Sequence, residues 1–290
     1  MSDVGKVLVV GMGYVGEALT VALSAQNISW FALRRRPHPD PRVFPIDLDT
    51  DSIDATLLQV DTIVYLAPPS GREPGDPTLR RFLRMLERRP PRRIIYASTT
   101  GVYGNQNGAW VDENSMLRAG SPRALRRLDA EEALVDQAER LGSEWVIIRL
   151  PGIYGPTRLR EDAIRAGLIV PCPEICPPGN RIHRDDIVSA ILLLSRSGAP
   201  AGVFNLADSE HMTSTDFVRL VAGKLGVELP SCEPDLERYY ATHPGMASFL
   251  REQRRIDSSR IRQALGWKPR YDDAESGVTA SLQHLSSTSR

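Results

Sequence analysis

Val7-Leu8-Val9-Val10-Gly11-Met12-Gly13-Tyr14-Val15-Gly16 decides the reading of this chain. A short β-branched run ends in glycines, and Ala18, Leu19, Ala22 and Leu23 follow at helical spacing. Strand, Gly-x-Gly-x-x-Gly and helix, in that order, are the setting of a dinucleotide-binding turn. Gly11 permits the tight turn, Gly13 lets backbone approach a pyrophosphate, and Gly16 lets the helix lie close to its strand. The helix N-terminus adds unpaired N–H groups and a partial positive charge. Residues Gly11, Met12, Gly13, Tyr14, Val15 and Gly16 are therefore predicted to hold the phosphates of a cofactor.

Outward from this turn, Ile28 to Leu33 reads as a second strand ending in Arg34-Arg35-Arg36. A residue about 20 positions after the glycines faces the adenosine ribose in such folds, where an acid holds a free 2′-hydroxyl. Arginines there suit a 2′-phosphate, so Arg34 and Arg35 point to NADP(H), with NAD(H) as the alternative. Val43 to Ile46 is a third strand, and Asp47-Leu48 follows at the expected adenine position. Thr62 to Leu66 is a fourth; Leu66, Ala67 and Pro68 close it with small, rigid residues that leave room for the ribose.

Arg80 to Arg93 reads as a basic helix, solvated on one face, with Phe82, Leu83 and Leu86 as its apolar stripe. Arg93 to Ala97 is a fifth strand, leading into Ser98-Thr99-Thr100-Gly101-Val102-Tyr103-Gly104. Ser121-Pro122 starts a long helix, with Ser as cap and Pro in the first turn. Leu125, Leu128, Val135 and Ala138 mark its predicted buried stripe. Trp145 to Arg149 is a sixth strand, closed by Leu150-Pro151-Gly152-Ile153-Tyr154-Gly155-Pro156. Strands alternating with helices define an α/β fold with a doubly wound parallel (Rossmann) sheet. Beyond Pro156 the pattern loosens, with a helix over Asp185–Leu194, a strand over Val203–Leu206 and mostly helix after that. The expected division is 1–156 as the dinucleotide-binding domain, with 185–206 returning to it. A smaller, mostly helical C-terminal substrate lobe takes 157–184 and 207–290.

Hydrophobic residues make up 41% and charged residues 25% of the 290, the balance of a soluble globular enzyme. A formal net charge of zero gives no global field to recruit nucleic acid or an anionic membrane. No apolar run is long enough to span a bilayer, and the residues after Met1 do not open a signal peptide, so cytoplasmic residence is expected. Cys172, Cys176 and Cys232 are an odd count, read as neither a disulfide framework nor a metal site. Lysine stands only at Lys6, Lys224 and Lys268, so arginine carries almost all the positive charge.

Five further motifs follow the glycine turn in order. They are Ser98–Gly104, Arg149–Pro156, Ile182-His183-Arg184-Asp185-Asp186, Phe204-Asn205-Leu206-Ala207 and Leu265-Gly266-Trp267-Lys268-Pro269. Together they resemble the extended short-chain dehydrogenase/reductases, including the NAD-dependent epimerase/dehydratases. The glycine spacing is similar to an atypical, YeeZ-like bacterial subgroup. The resemblance implies a small-molecule substrate, pairing of two copies through helices that include the long one, and cofactor contacts from Pro151 and Ile153. It also implies chemistry by a Tyr and a Lys four residues later on the long helix, one helical face apart, assisted by a Ser or Thr that Thr99 matches. Here the chain departs. Arg123 stands at the Tyr position and Arg127 at the Lys position. Arg127 can donate to the ribose as Lys does. Arg123 cannot carry a proton at neutral pH, because guanidinium pKa values exceed 12.

Tyr103, Tyr154 and His183 are the candidates for a substitute proton carrier, each also readable as a packed structural residue. Glu113 reads as a solvated loop acid. Arg158, Arg160 and Arg181 are candidates for gripping an anionic substrate. The leading expectation is an NADP(H)-dependent reductase of a small carbonyl or imine compound with an atypical active site. The alternatives are a catalytically silent NADP(H)-binding regulator and, less favoured, a sugar-nucleotide epimerase or dehydratase.

Overall fold

In a computed structural model, alternate residues of the first strand, β1 (Val7–Val10), enter two separate cores. Val7 and Val9 pack with Leu19 and Leu23 of α1 (Tyr14–Ala25) and with Ile187 and Ile191 of a later helix. Leu8 and Val10 pack on the opposite face with Leu79, Phe82, Ala130 and Leu134. A strand buried on both faces is what a continuous β-branched run encodes in a parallel sheet. The structure describes residues 3–71 and 75–288. Met1 and Ser2, where the N-terminal reading begins, and the last two residues of the expected lobe lie outside them.

The elements that follow are β2 (Trp30–Arg34), β3 (Val43–Pro45), β4 (Thr62–Tyr65), α2 (Pro77–Met85), β5 (Arg93–Thr99), β6 (Trp110–Val111), α3 (Pro122–Leu141), β7 (Glu144–Leu150) and β8 (Gly152–Tyr154). Then come α4 (Glu161–Arg165), β9 (Val170–Pro171), β10 (Arg181–His183), α5 (Arg184–Leu194), β11 (Gly202–Asn205), α6 (Ser214–Leu225) and β12 (Cys232–Glu233). The chain ends with α7 (Leu236–Thr242), α8 (Pro244–Leu250), β13 (Arg255–Ile256), α9 (Ser259–Leu265) and α10 (Ala274–Thr288).

Seven strands pair in parallel in the order β11-β7-β5-β4-β1-β2-β3, with helices on both faces. The chain reverses direction of travel across the sheet between β1 and β4, the switch point where such sheets bind ligands beyond their carboxyl ends. Over those ends lies the C-terminal region. Its core gathers Tyr154, Leu159, Ile164, Phe217, Val221, Ala274 and Val278. Three two-strand pairs, β10·β8, β12·β9 and β13·β6, stitch it together.

Three expectations need correction. Cys172 and Cys232 form a disulfide, because the β9·β12 pairing brings together thiols 60 residues apart; Cys176 stays free and buried. The basic helix is shorter than Arg80–Arg93: α2 ends at Met85, a single 3-10 turn covers Leu86–Arg88, and Arg93 is already in β5. Leu125 is 50% exposed rather than buried, because Ala124, Ala130, Leu134 and Ala138 carry the packed face of α3. Among the described residues no helix is long and apolar enough to cross a membrane.

Candidate active site

The turn after β1 has the geometry its glycines permit. Gly11 adopts φ +92°, and a Cβ there would lie 2.5 Å from the backbone nitrogen of Ala67. A Cβ on Gly16 would reach 3.0 Å from the Gly11 carbonyl oxygen, so α1 can approach β1 only without a side chain. Above Gly13 nothing lies within 4 Å of the Cβ position. That open space, at a helix N-terminus and the switch point of the sheet, fits a dinucleotide pyrophosphate. Gly11 and Met12 both donate to the Leu33 carbonyl, and Leu66 and Ala67 to that of Val10, so the ends of β1, β2 and β4 form one rim.

Around the rim, the other cofactor candidates take distinct positions. Arg34 is partly exposed and pairs with Glu17 of α1 at 3.3 Å, while Arg35 is exposed. Asp47 and Leu48 begin a turn pinned by Arg81, whose Nη1 donates to the Leu48 carbonyl at 2.6 Å. Pro68 is exposed at the end of β4. Across the opening, the Tyr14 hydroxyl donates to the Pro156 carbonyl at 2.8 Å, tying the glycine turn to the segment that carries Pro151 and Ile153. Burial pushes the Tyr14 phenol up to about 12. Arg158 is exposed and stacks over the Tyr14 ring at 4.1 Å; with Ile153, Arg160 and Glu161 it lines a surface cavity.

At the end of β5, the Thr99 Oγ1 accepts from the Gly101 backbone N–H at 3.1 Å, leaving its own hydrogen to donate elsewhere. The first turn of α3 packs on this loop: a Cβ on Gly101 would meet Ala124 Cβ at 3.6 Å. Ser121 caps α3 and Pro122 opens it, as the sequence predicts. Four residues apart on this helix, the two arginines differ. Arg127 is fixed, its Nη1 donating to the Tyr96 hydroxyl at 2.8 Å and to the Ala97 carbonyl at 2.9 Å. Arg123 has no hydrogen-bond partner among the described residues; its guanidinium lies over the Phe249 ring at 3.8 Å. Burial lowers its pKa, yet a guanidinium remains a cation at neutral pH.

The proposed substitute proton carriers are all buried. The Tyr103 side chain is fully buried; its hydroxyl donates to Asn205 Oδ1 at 2.8 Å and accepts from Arg149 Nη1 at 2.9 Å. Burial raises its pKa, outweighing the lowering by Arg149 and Asn205. Tyr154 faces the C-terminal core, its ring against Phe217 and His183 and its hydroxyl packed over Gly277 of α10. His183 is buried, caps α5 through Nδ1 and meets the Ser281 hydroxyl through Nε2; burial lowers its pKa to about 4. Arg181 is spent on the Met212 and Thr213 carbonyls and on the Phe217 ring. Glu113 is not a solvated acid: it accepts from the Asn205 backbone N–H at 2.7 Å.

Beneath the site runs a buried network that the motifs do not announce. Glu131 of α3 and Arg149 of β7, both about 5% exposed, pair side-on through Nη2–Oε2 at 2.7 Å and Nε–Oε1 at 3.2 Å. Ser98 donates to Glu131, and Arg149 reaches Tyr103, which reaches Asn205 of β11. One polar chain therefore locks the carboxyl ends of β5, β7 and β11 to α3. Glu131 falls four residues after Arg127, a spacing that would have marked it as sharing that helix face.

A dinucleotide-binding turn at the switch point of a seven-strand parallel sheet, with a smaller region over its carboxyl ends, defines a Rossmann-type short-chain dehydrogenase/reductase fold. Residues 7–207 match the NAD dependent epimerase/dehydratase family, and the chain belongs to that family. It is 28% identical to Protein YeeZ of Escherichia coli (strain K12) over 292 aligned residues, covering 92% of this chain and 97% of that one. A conserved protein of unknown function from Silicibacter pomeroyi superposes with a TM-score of 0.83 at 26% identity, covering 97% and 99% of the two chains. MoeE5, solved with UDP-glucose and NAD, shares the fold at 20% identity and a TM-score of 0.79, covering 99% of this chain and 100% of that one.

Proposed function

We propose that this protein is an NAD(P)H-dependent reductase of a small carbonyl or imine compound that works without a protein phenol as proton carrier. The observation behind this reading is the pair on α3. Arg127 is anchored by Tyr96 and Ala97 where a ribose-holding cation is needed, while Arg123 stands one turn earlier with no hydrogen-bond partner among the described residues. The glycine turn would hold the pyrophosphate of a nicotinamide dinucleotide, which when bound would supply hydride chemistry. Arg127 has Nε and Nη2 to offer the adjoining ribose. The Thr99 hydroxyl donates to a carbonyl oxygen, polarising it, or accepts from an iminium N–H. Arg123 sets a fixed positive charge at the mouth of the site. An iminium needs no proton during hydride arrival, and a carbonyl takes its proton from water. An epimerase must instead pull a proton from a substrate hydroxyl, which neither guanidinium can do. Tyr103, already bonded, and Tyr154, buried against Gly277, do not fill that role.

Following NADPH oxidation at 340 nm over a panel of carbonyl and imine compounds tests this. Turnover that persists in Tyr103→Phe and Tyr154→Phe supports it. Binding of cofactor without turnover of any panel member would favour a silent regulator. Cofactor choice has its own test. Arg34 and Arg35 are read as partners of a 2′-phosphate, so Arg34→Ala/Arg35→Ala should raise the KM for NADPH by about tenfold, roughly 1.4 kcal/mol, and leave that for NADH nearly unchanged. Equal effects on both cofactors would remove the NADP(H) assignment.

A further inference from the structure

Helix α8 meets the first turn of α3 through Phe249, and the segment that joins α8 to β13 brings a second arginine to the loop end at Gly104. Phe249, 56% exposed, carries the Arg123 guanidinium on its ring. Five residues on, Arg254 is only 8% exposed. Its Nη1 donates to the Gly104 carbonyl at 2.8 Å, to the Glu252 carbonyl at 3.0 Å and to the Glu252 carboxylate at 3.3 Å. Gly104 closes the turn that begins at Thr99, so this guanidinium is anchored on the loop that carries the proposed substrate donor. Among the described residues its Nε is buried without a partner, and its Nη2 has no hydrogen-bond partner. The Nε–Nη2 edge is the one that takes a carboxylate side-on.

The charge balance at this point is unmet. Among the described residues Arg123 and Arg254 share one carboxylate, Glu252, which attracts both. Burial lowers the pKa of each arginine, and Arg123 lowers that of Arg254 further. Arg126 and Arg127 add to the positive field at Arg123. A buried, unpaired donor on a charged group is costly, a cost that an arriving anion relieves.

We infer that Arg123 and Arg254 form a clamp for a carboxylate carried by the substrate, gripped by the free Arg254 edge and the free donors of Arg123. The inference rests on the reductase reading and narrows its substrates to carbonyl or imine acids. The clamp sets one end of the substrate against Gly104 while Thr99 meets the reacting group, which gives the site an orientation for its ligand.

Calorimetric titration of the NADPH-loaded protein with oxalate, at constant ionic strength, tests the clamp without requiring turnover. Saturable binding is expected in the native protein, weakened at least tenfold in Arg254→Met and in Arg123→Met, and partly restored in Arg254→Lys. Oxamide, neutral and of the same shape, should give no heat. Thermal melts check that Arg254→Met folds; if it does not, Arg123→Met, which breaks no hydrogen bond, carries the test. No oxalate binding to the native protein, or equal affinity in native protein and both methionine variants, overturns the clamp. Reduction of neutral carbonyls with no carboxylate effect would leave the reductase reading standing and the clamp refuted. Oxalate binding lost in the variants, with no turnover of any acid, would do the reverse.

Discussion

Glu131→Ala should destabilise the protein by about 3–5 kcal/mol, the cost of leaving a buried guanidinium without its partner. Arg149 is 4% exposed, and its side-on bonds to Glu131 satisfy Nε and Nη2. Without the carboxylate, that charge stays below the sheet ends with Tyr103 as its one remaining acceptor among the described residues. Ser98 also loses its acceptor. The denaturation midpoint in urea reads the effect. The double variant Glu131→Ala/Arg149→Met should recover much of the loss, because replacing both charges removes the desolvation penalty. Simple addition of the two single effects would mean that the pair is not coupled. Because Ser98 adjoins Thr99, Glu131→Ala should also lower turnover in whatever fraction remains folded.

The second large effect separates folding from binding within the glycine turn. Gly13→Val adds a side chain into open space, so stability should change by no more than about 0.5 kcal/mol. The same side chain stands where pyrophosphate must approach, so dinucleotide affinity should fall by about 100-fold, roughly 2.7 kcal/mol. Gly11→Ala should behave differently. At φ +92°, with its Cβ 2.5 Å from Ala67 nitrogen, it meets both backbone strain and a rigid neighbour. The expected cost is about 2–5 kcal/mol of stability. A Gly13→Val protein that binds dinucleotide as tightly as the native one would mean that the ligand lies elsewhere.

Much of this architecture is legible in the chain because it is written locally. The β-branched run of β1, the glycines at 11, 13 and 16, and the Ser121-Pro122 start of α3 each declare themselves within a few residues. What escaped is set by distant partners. Whether Tyr103 and Tyr154 face a substrate depends on Asn205, Arg149 and α10, more than 40 residues away from one or the other. The disulfide needs β9 and β12 to pair, two short strands with no periodic signal. Arg254 belongs to the site only because its segment folds back on Gly104, 150 residues earlier. Leu125 misled because an apolar residue at helical spacing does not reveal which edge of the stripe faces solvent.

The central claim is that a guanidinium at Arg127 holds a dinucleotide delivered by the glycine turn. Calorimetry of NADPH and NADH binding to the native protein and to Arg127→Met tests it most directly. Clear saturable binding to the native protein, weakened about tenfold or more in Arg127→Met, is the predicted result. No heat with either dinucleotide, or identical affinity in both proteins, would contradict it.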